Sequence, residues 1–325
     1  MAVRYPVLAG AAAGLLLRLV FSGPGGSSWS PMTGWFIYLA PVVVGMVTVY
    51  LAEREARRSW GYYVVAPMIA TMFFVLGTLL ILIEGLICAV IIVPMFALLG
   101  VVGGLIMGAF CRWTRWPRHT LYSFAALPLL LAALGSNFPT STGIGVIERS
   151  RVIHAPPAVV WSKLNDIQAI APEEMEAALA RRIGVPMPMS GTTRKTADGW
   201  VRESRWGSHV HFEEVIDIWE PERRLHFTYR FAPDSFPRAA LDDHVVIGGH
   251  YFDLIDTDYV LEPSSGGTLL RTRVRYRIST HFNFYADWVA QLLLGNLSEV
   301  GLQLYAARSE REWAQAQTSG AADAR

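Results

Sequence analysis

Residues 248–259, GGHYFDLIDTDY, gather one histidine, three aspartates and three aromatics into twelve positions. Such a set has two chemical uses. In a cleft, Asp253, Tyr251 and His250 can exchange protons with a substrate as general acids or bases. Histidine and carboxylate groups can also hold a metal ion, and His244, His250 and Asp253, with Asp243, are the residues to collect. Their spacing matches no established zinc pattern, so no metal site is expected. His209 and His211 share a strand face with Glu213 and offer a second acid/base group, although a surface stripe explains them as well. The sequence has no Gly-rich phosphate loop and no serine-nucleophile motif, and no cofactor is expected.

What these side chains can reach depends on strand register. The segment after the turn EPSSGGT alternates cleanly, with Leu270, Thr272, Val274, Tyr276 and Ile278 on one face and Arg271, Arg273, Arg275 and Arg277 on the other. Four unpaired arginines are too costly to bury, so the arginine face is outward. The preceding strand has two registers, and a slip of one residue exchanges its faces. One register drives Asp256 and Asp258 inward. The other sets them across from Arg275 and Arg273, as opposite-charge pairs that contribute roughly 0.2–1 kcal/mol each. The second register is predicted. It makes Asp256 and Asp258 a solvated charge ladder and leaves Tyr251, Asp253, Tyr259 and Leu261 facing in. Asp253 then either contacts a ligand or bonds a neighbouring strand, loop or Tyr276, and a bulge at Gly248-Gly249 would be needed to turn His250 inward.

Other elements follow from periodicity and turn chemistry. An alternating strand ends near His154, a Pro-Pro pair starts a helix with Val159, Val160 and Leu164 on one stripe, and a short helix covers 172–182. Strands are predicted at 192–205, 210–219, 225–231, 251–262 and 268–280. An amphipathic helix at 284–312 places Trp288, Leu292, Val300, Leu304 and Ala307 at helical spacing. The segment 232–249 is long for a connection and reads as a lid or binding loop.

The chain of 325 residues is 52% hydrophobic and 17% charged, too apolar for an ordinary soluble enzyme. Apolar runs fill the first 135 residues, while most charges follow residue 147. A transmembrane helical domain is therefore expected at 1–136, a linker at 137–146, a soluble domain at 147–313 and a disordered tail at 314–325. Five spans are predicted, at 5–21, 35–51, 62–83, 86–110 and 121–134. Arginines mark alternate connections (Arg4; Arg54, Arg57 and Arg58; Arg112, Arg115 and Arg118), flanked by Trp60, Tyr62, Tyr63, Trp113 and Trp116 as interfacial anchors. With five spans, this puts the N-terminus in the cytoplasm and the soluble domain outside, the periplasmic or extracellular face of a bacterial inner membrane. Arg18 within the first run, and the lack of an A-x-A site, argue against a signal peptide. Arg18 and Glu84 are expected to snorkel or to pair, with a gate or substrate contact as the lesser alternative. The Gly10-x-x-x-Gly14 and Gly100-x-x-x-Gly104-x-x-x-Gly108 patterns suit close helix packing within the chain, with homo-oligomerisation as the lesser alternative. Both cysteines, Cys88 and Cys111, lie in the apolar half, so no disulfide framework is expected. A net charge of +1 offers no nucleic-acid surface.

The segments VIHAPPAVVWSKLND, EEVIDIWEPERRLHFTY and YVLEPSSGGTLLRTRVRY, in an order of strand, two helices, antiparallel strands and long C-terminal helix, resemble the START-like (SRPBCC) superfamily. That superfamily includes polyketide cyclase/dehydrase-like and birch-pollen-allergen-like domains. The resemblance covers about residues 147–311. It implies an α+β helix-grip domain, a curved antiparallel sheet around the long helix, with an apolar cavity for a lipid, sterol or polyketide. On that basis the expected function is membrane-anchored binding or transfer of a hydrophobic, lipid-like molecule. The expected ligand contacts are Tyr251, Asp253, Tyr259, Thr272, Val274, Tyr276, Trp288 and Leu292. Two alternatives stand beside it: a cyclase, dehydrase or hydrolase using Asp253, Tyr251, His250 or His211, and a non-catalytic sensor or interaction domain.

Overall fold

Residues 5–24, 27–114, 126–134, 140–197, 199–236 and 246–323 are described by the computed structural model. Contacts divide the chain into two units, Met1–Ser141 with Thr280–Phe282, and Thr142–Ser279 with Asn283–Arg325.

The first unit is helical: α1 (Pro6–Val20), α2 (Gly34–Glu55), α3 (Trp60–Leu80), α4 (Leu86–Trp113) and α5 (Leu127–Ala133). Thr33 and Ser59 start α2 and α3 by accepting the amide hydrogens of Phe36 and Tyr62. Among the described residues three helices, α2, α3 and α4, are long and apolar enough to cross a membrane, rather than the predicted five. The reason is length. At about 1.5 Å per residue, the 15 residues of α1 rise only about 22 Å against a hydrocarbon core of about 30 Å. The seven residues of α5 are shorter still. Residues 121–125 of the predicted fifth span, with Arg4, Arg115, Trp116 and Arg118, lie outside the described residues. The outward assignment of the soluble domain rested on five crossings and loses that support.

Glycines set how closely these helices approach. A Cβ at Gly10 would lie 2.0 Å from Thr48 Oγ1, one at Gly104 2.5 Å from the Tyr63 carbonyl, and one at Gly103 2.1 Å from the Val42 carbonyl. The two small-residue patterns therefore pack against helices of the same chain. Arg18 pairs with Glu84 at 2.7 Å and donates to the Phe21 carbonyl at 2.8 Å, which ties the end of α1 to the α3–α4 turn.

The second unit holds β1 (Gly143–Ile153), α6 (Pro157–Asn165), β2 (Asp166–Ile167), a 3-10 turn (Pro172–Met175), α7 (Leu179–Arg182), β3 (Pro188–Thr196), β4 (Gly199–Trp206), β5 (Val210–Glu220), β6 (Arg224–Arg230), β7 (Phe252–Ser264), β8 (Gly267–Ile278) and α8 (Asn283–Asp323). The strands form one curled antiparallel sheet in the order β1-β8-β7-β6-β5-β4-β3-β2. With α8 this is a helix-grip arrangement of the kind the resemblance implied. The alternation in β8 holds: Leu270, Thr272, Tyr276 and Ile278 are buried, while Arg271, Arg273 and Arg275 are exposed. The core joins Ile153 of β1, Val160 and Leu164 of α6, Leu225 and Phe227 of β6, Leu270 of β8 and Val300, Leu302 and Leu304 of α8.

Two expectations for α8 are corrected. The helix continues to Asp323 where a disordered tail was expected, because residues 312–323 carry four alanines and no proline and keep helical propensity after the apolar stripe ends. Its early inner face is also different. Ala286, Ala290 and Leu294 pack on Ile147, Tyr276 and Ile278, whereas Trp288 and Leu292 are 59% and 46% exposed. Small residues let the helix approach the sheet at Tyr276, so size rather than hydrophobicity chose the face.

Candidate functional site

The curl of the sheet against α8 leaves a cavity of about 170 Å³ within the second unit. Its wall is mainly apolar: Ile167, Ile170 and Met175 at one side, Phe212, Phe227 and Leu254 from the strands, and Leu294, Leu297 and Leu304 from α8. Gly301 belongs to this wall, and a Cβ there would meet nothing within 4 Å. A glycine in the middle of a helix costs about 1 kcal/mol relative to alanine, and here its effect is to enlarge the cavity.

The cavity wall also carries a buried ion pair. Strands β4 and β5 place Arg202 directly opposite Glu214. Both are on the inner face and only 6% and 5% exposed. Arg202 Nη1 donates to Glu214 Oε2 at 2.6 Å, Arg202 Nη2 donates to the Tyr305 hydroxyl at 3.1 Å, and Ser204 Oγ donates to Glu214 Oε1 at 2.6 Å. The guanidinium lies over Gly191, where a Cβ would fall 2.4 Å from Nη2. Burial works against the Arg202 charge most strongly, but the Glu214 carboxylate, Tyr305 and Tyr259 together more than offset it and hold the guanidinium protonated. Tyr229, which exchanges a hydrogen bond with Thr257 at 2.6 Å, and Tyr259 also line the wall. Burial pushes both phenols above their ordinary range, so they remain neutral hydrogen-bonding groups.

The predicted site residues divide. Tyr259, Thr272 and Val274 line the cavity. Tyr276 is fully buried elsewhere, donating to Asp287 at 2.7 Å and accepting from Gln291 at 2.8 Å. Its hydroxyl is held above the usual range by burial and then by Asp287. Trp288 and Leu292 are on the outer side of α8 and do not line the cavity.

Asp253 and Tyr251 are also away from it, and the cause is a bulge. Pairing between β7 and β8 runs Asp258↔Arg273, Thr257↔Val274 and Asp256↔Arg275, as predicted, and then jumps to Leu254↔Tyr276 and Asp253↔Arg277. Ile255 is the extra residue, so every side chain before it changes face. Leu254 takes the inward position, and Asp253 joins the arginine face, 3.9 Å from Arg277. Partial burial raises its carboxyl above the usual range, with Arg277 opposing. Tyr251 precedes the strand, buried against the His250 ring at 4.8 Å. His250 itself is exposed, and its carbonyl accepts from Arg277.

The charge ladder is correct in register but not in exposure. Asp256 is 4% exposed and bonded by Arg275. Asp258 turns to Arg224 of β6, with two bonds of 2.9 Å, and Arg273 reaches Glu148 of β1 instead. His209 and His211 are exposed, on a groove outside the cavity, and His211 lies 3.6 Å from Asp234. Among the described residues, no group of three or more His, Cys, Asp or Glu is placed to hold a metal, and Asp243 and His244 lie outside them.

The buried pair was missed by sequence reasoning, although a signal exists. In VHFEEVI the inward positions are Val210, Phe212, Glu214 and Ile216, a carboxylate inside an apolar alternation. Such a position calls for a cation on the neighbouring strand.

No family description matches the sequence, and neither does a curated protein. Among solved structures the chain is similar to the di-domain ARO/CYC StfQ from the steffimycin biosynthetic pathway, at 12% identity over 52% of this chain and 51% of that one, with a TM-score of 0.34. It is similar to a norcoclaurine synthase point mutant from Thalictrum flavum, at 10% identity over 53% of this chain and 98% of that one, TM-score 0.32. It is also similar to an uncharacterised protein from Rhizobium leguminosarum, at 14% identity over 54% and 99%, TM-score 0.29.

Proposed function

We propose that the second unit is a binding domain for a small, largely apolar molecule, and that the helices long enough to cross a membrane tether it where such molecules partition. The observation that carries this reading is the cavity of about 170 Å³ with its apolar wall and open glycine. Apolar cavities of about 150 Å³ hold benzene, whereas pockets for drug-sized ligands are about 300–1,000 Å³. The ligand is therefore a ring-sized molecule, or the end of a longer lipid-like one. Tethering raises the local concentration of the domain for a ligand dissolved in the bilayer.

Binding is favoured over acid/base catalysis by what lines the cavity. Asp253, Tyr251, His250 and His211 do not. The carboxylate that does, Glu214, is held by Arg202 and Ser204.

Gly301→Leu tests the reading, because a Cβ at 301 meets nothing within 4 Å and the rest of the side chain would occupy cavity space. Toluene titrated into full-length protein in nanodiscs should bind the natural chain above an empty-nanodisc blank. The variant should lose that binding and unfold at a higher temperature. Undiminished toluene binding by a folded Gly301→Leu protein would place the ligand elsewhere.

A further inference from the structure

We infer that the ligand is a neutral molecule carrying a hydrogen-bond acceptor, such as a ketone, aldehyde or ester carbonyl, and that Arg202 Nε is the group that binds this acceptor. The inference rests on the cavity being the binding site and goes further, to the chemical class of what it holds. Two of the three guanidinium nitrogens are used: Nη1 by Glu214 and Nη2 by Tyr305. Nε is buried and has no acceptor among the described residues. It lies over Gly191, 2.8 Å from where a Cβ would be, and Arg202 and Gly191 both line the cavity. A buried N–H of a charged group left without a partner is costly, and an acceptor on the ligand removes that cost.

The charge of the acceptor follows from the rest of the wall. Glu214 already neutralises Arg202, and among the described residues no other cation lines the cavity. A ligand carboxylate would add an uncompensated negative charge beside Glu214, in a place where each buried ion costs several kcal/mol. A carbonyl oxygen takes the same N–H without that penalty. The tyrosines Tyr229 and Tyr259 stay protonated and add no negative charge of their own.

Three probes of similar size separate the possibilities: acetophenone, α-methylstyrene, in which a methylene replaces the carbonyl oxygen, and benzoate. They are titrated by ligand-observed NMR into the full-length protein in nanodiscs. Acetophenone should bind about tenfold tighter than α-methylstyrene, the difference made by one hydrogen bond to a charged donor, and tighter than benzoate. In the Arg202→Met/Glu214→Leu protein, which leaves neither charge unpaired, that tenfold preference should disappear. Equal affinities for acetophenone and α-methylstyrene in the natural protein would overturn the acceptor and leave the cavity reading standing. Tightest binding of benzoate would overturn the neutral class. Failure of all three to bind would overturn the cavity reading and this inference together.

Discussion

Ile255 decides which side chains reach the cavity, although its own chemistry is inert. As the extra residue of the β7 bulge it sends Leu254 inward and sets Asp253 against Arg277. A bulge of this kind leaves no mark in a stretch where Leu254 and Ile255 are adjacent and aspartates fall in both alternating sets, so Asp253 read as inward from the sequence. Its position has a measurable consequence. Burial raises the Asp253 pKa in the folded protein, so the folded state holds the proton better than the unfolded chain, whose value is about 3.9. The ionised carboxylate therefore costs stability above the folded pKa, and the cost vanishes as pH falls below the unfolded value. Asp253→Asn should raise the thermal midpoint at pH 7, and the gap between variant and natural protein should close below about pH 4. An unchanged or lowered midpoint at pH 7 would show that the Arg277 pairing outweighs burial.

At the level of elements, what was legible was periodic. The β8 alternation, the register of β7 up to Asp256 and the existence of the long helix all follow from side-chain period. Two things were not. The inner face of α8 is set by Ala286 and Ala290, which hydrophobic spacing ranks below Trp288 and Leu292. The Arg202–Glu214 pair needs the β4–β5 register as well as the alternation of each strand. In the helical unit, arginines Arg54, Arg57 and Arg58 adjoin the α2–α3 connection, and Arg112 ends α4, where its Nη2 donates to the Arg58 carbonyl at 2.7 Å. These ends share one side, and the positive-inside rule predicts that it is the cytoplasmic one. An alkaline phosphatase fused after Thr114 should be inactive and a fluorescent protein fused there should be bright. An active phosphatase would reverse the orientation of α2, α3 and α4.

For the whole molecule, the two units are apolar helices that can hold the chain in a membrane, and a helix-grip domain whose mainly apolar cavity also carries one neutralised ion pair and eight hydroxyl-bearing side chains. Of the ligand contacts expected in GGHYFDLIDTDY, Tyr259 lines the cavity and Tyr251 and Asp253 do not, and the polar centre of the cavity is Arg202 and Glu214 of β4 and β5. The most direct measurement is the position of a bound ring. In methyl-labelled protein saturated with toluene, intermolecular NOEs should run from the ring to the methyls of Thr272, Val274, Leu297 and Leu304. NOEs to Leu292 or Ile144 in their place, both exposed, would contradict the account.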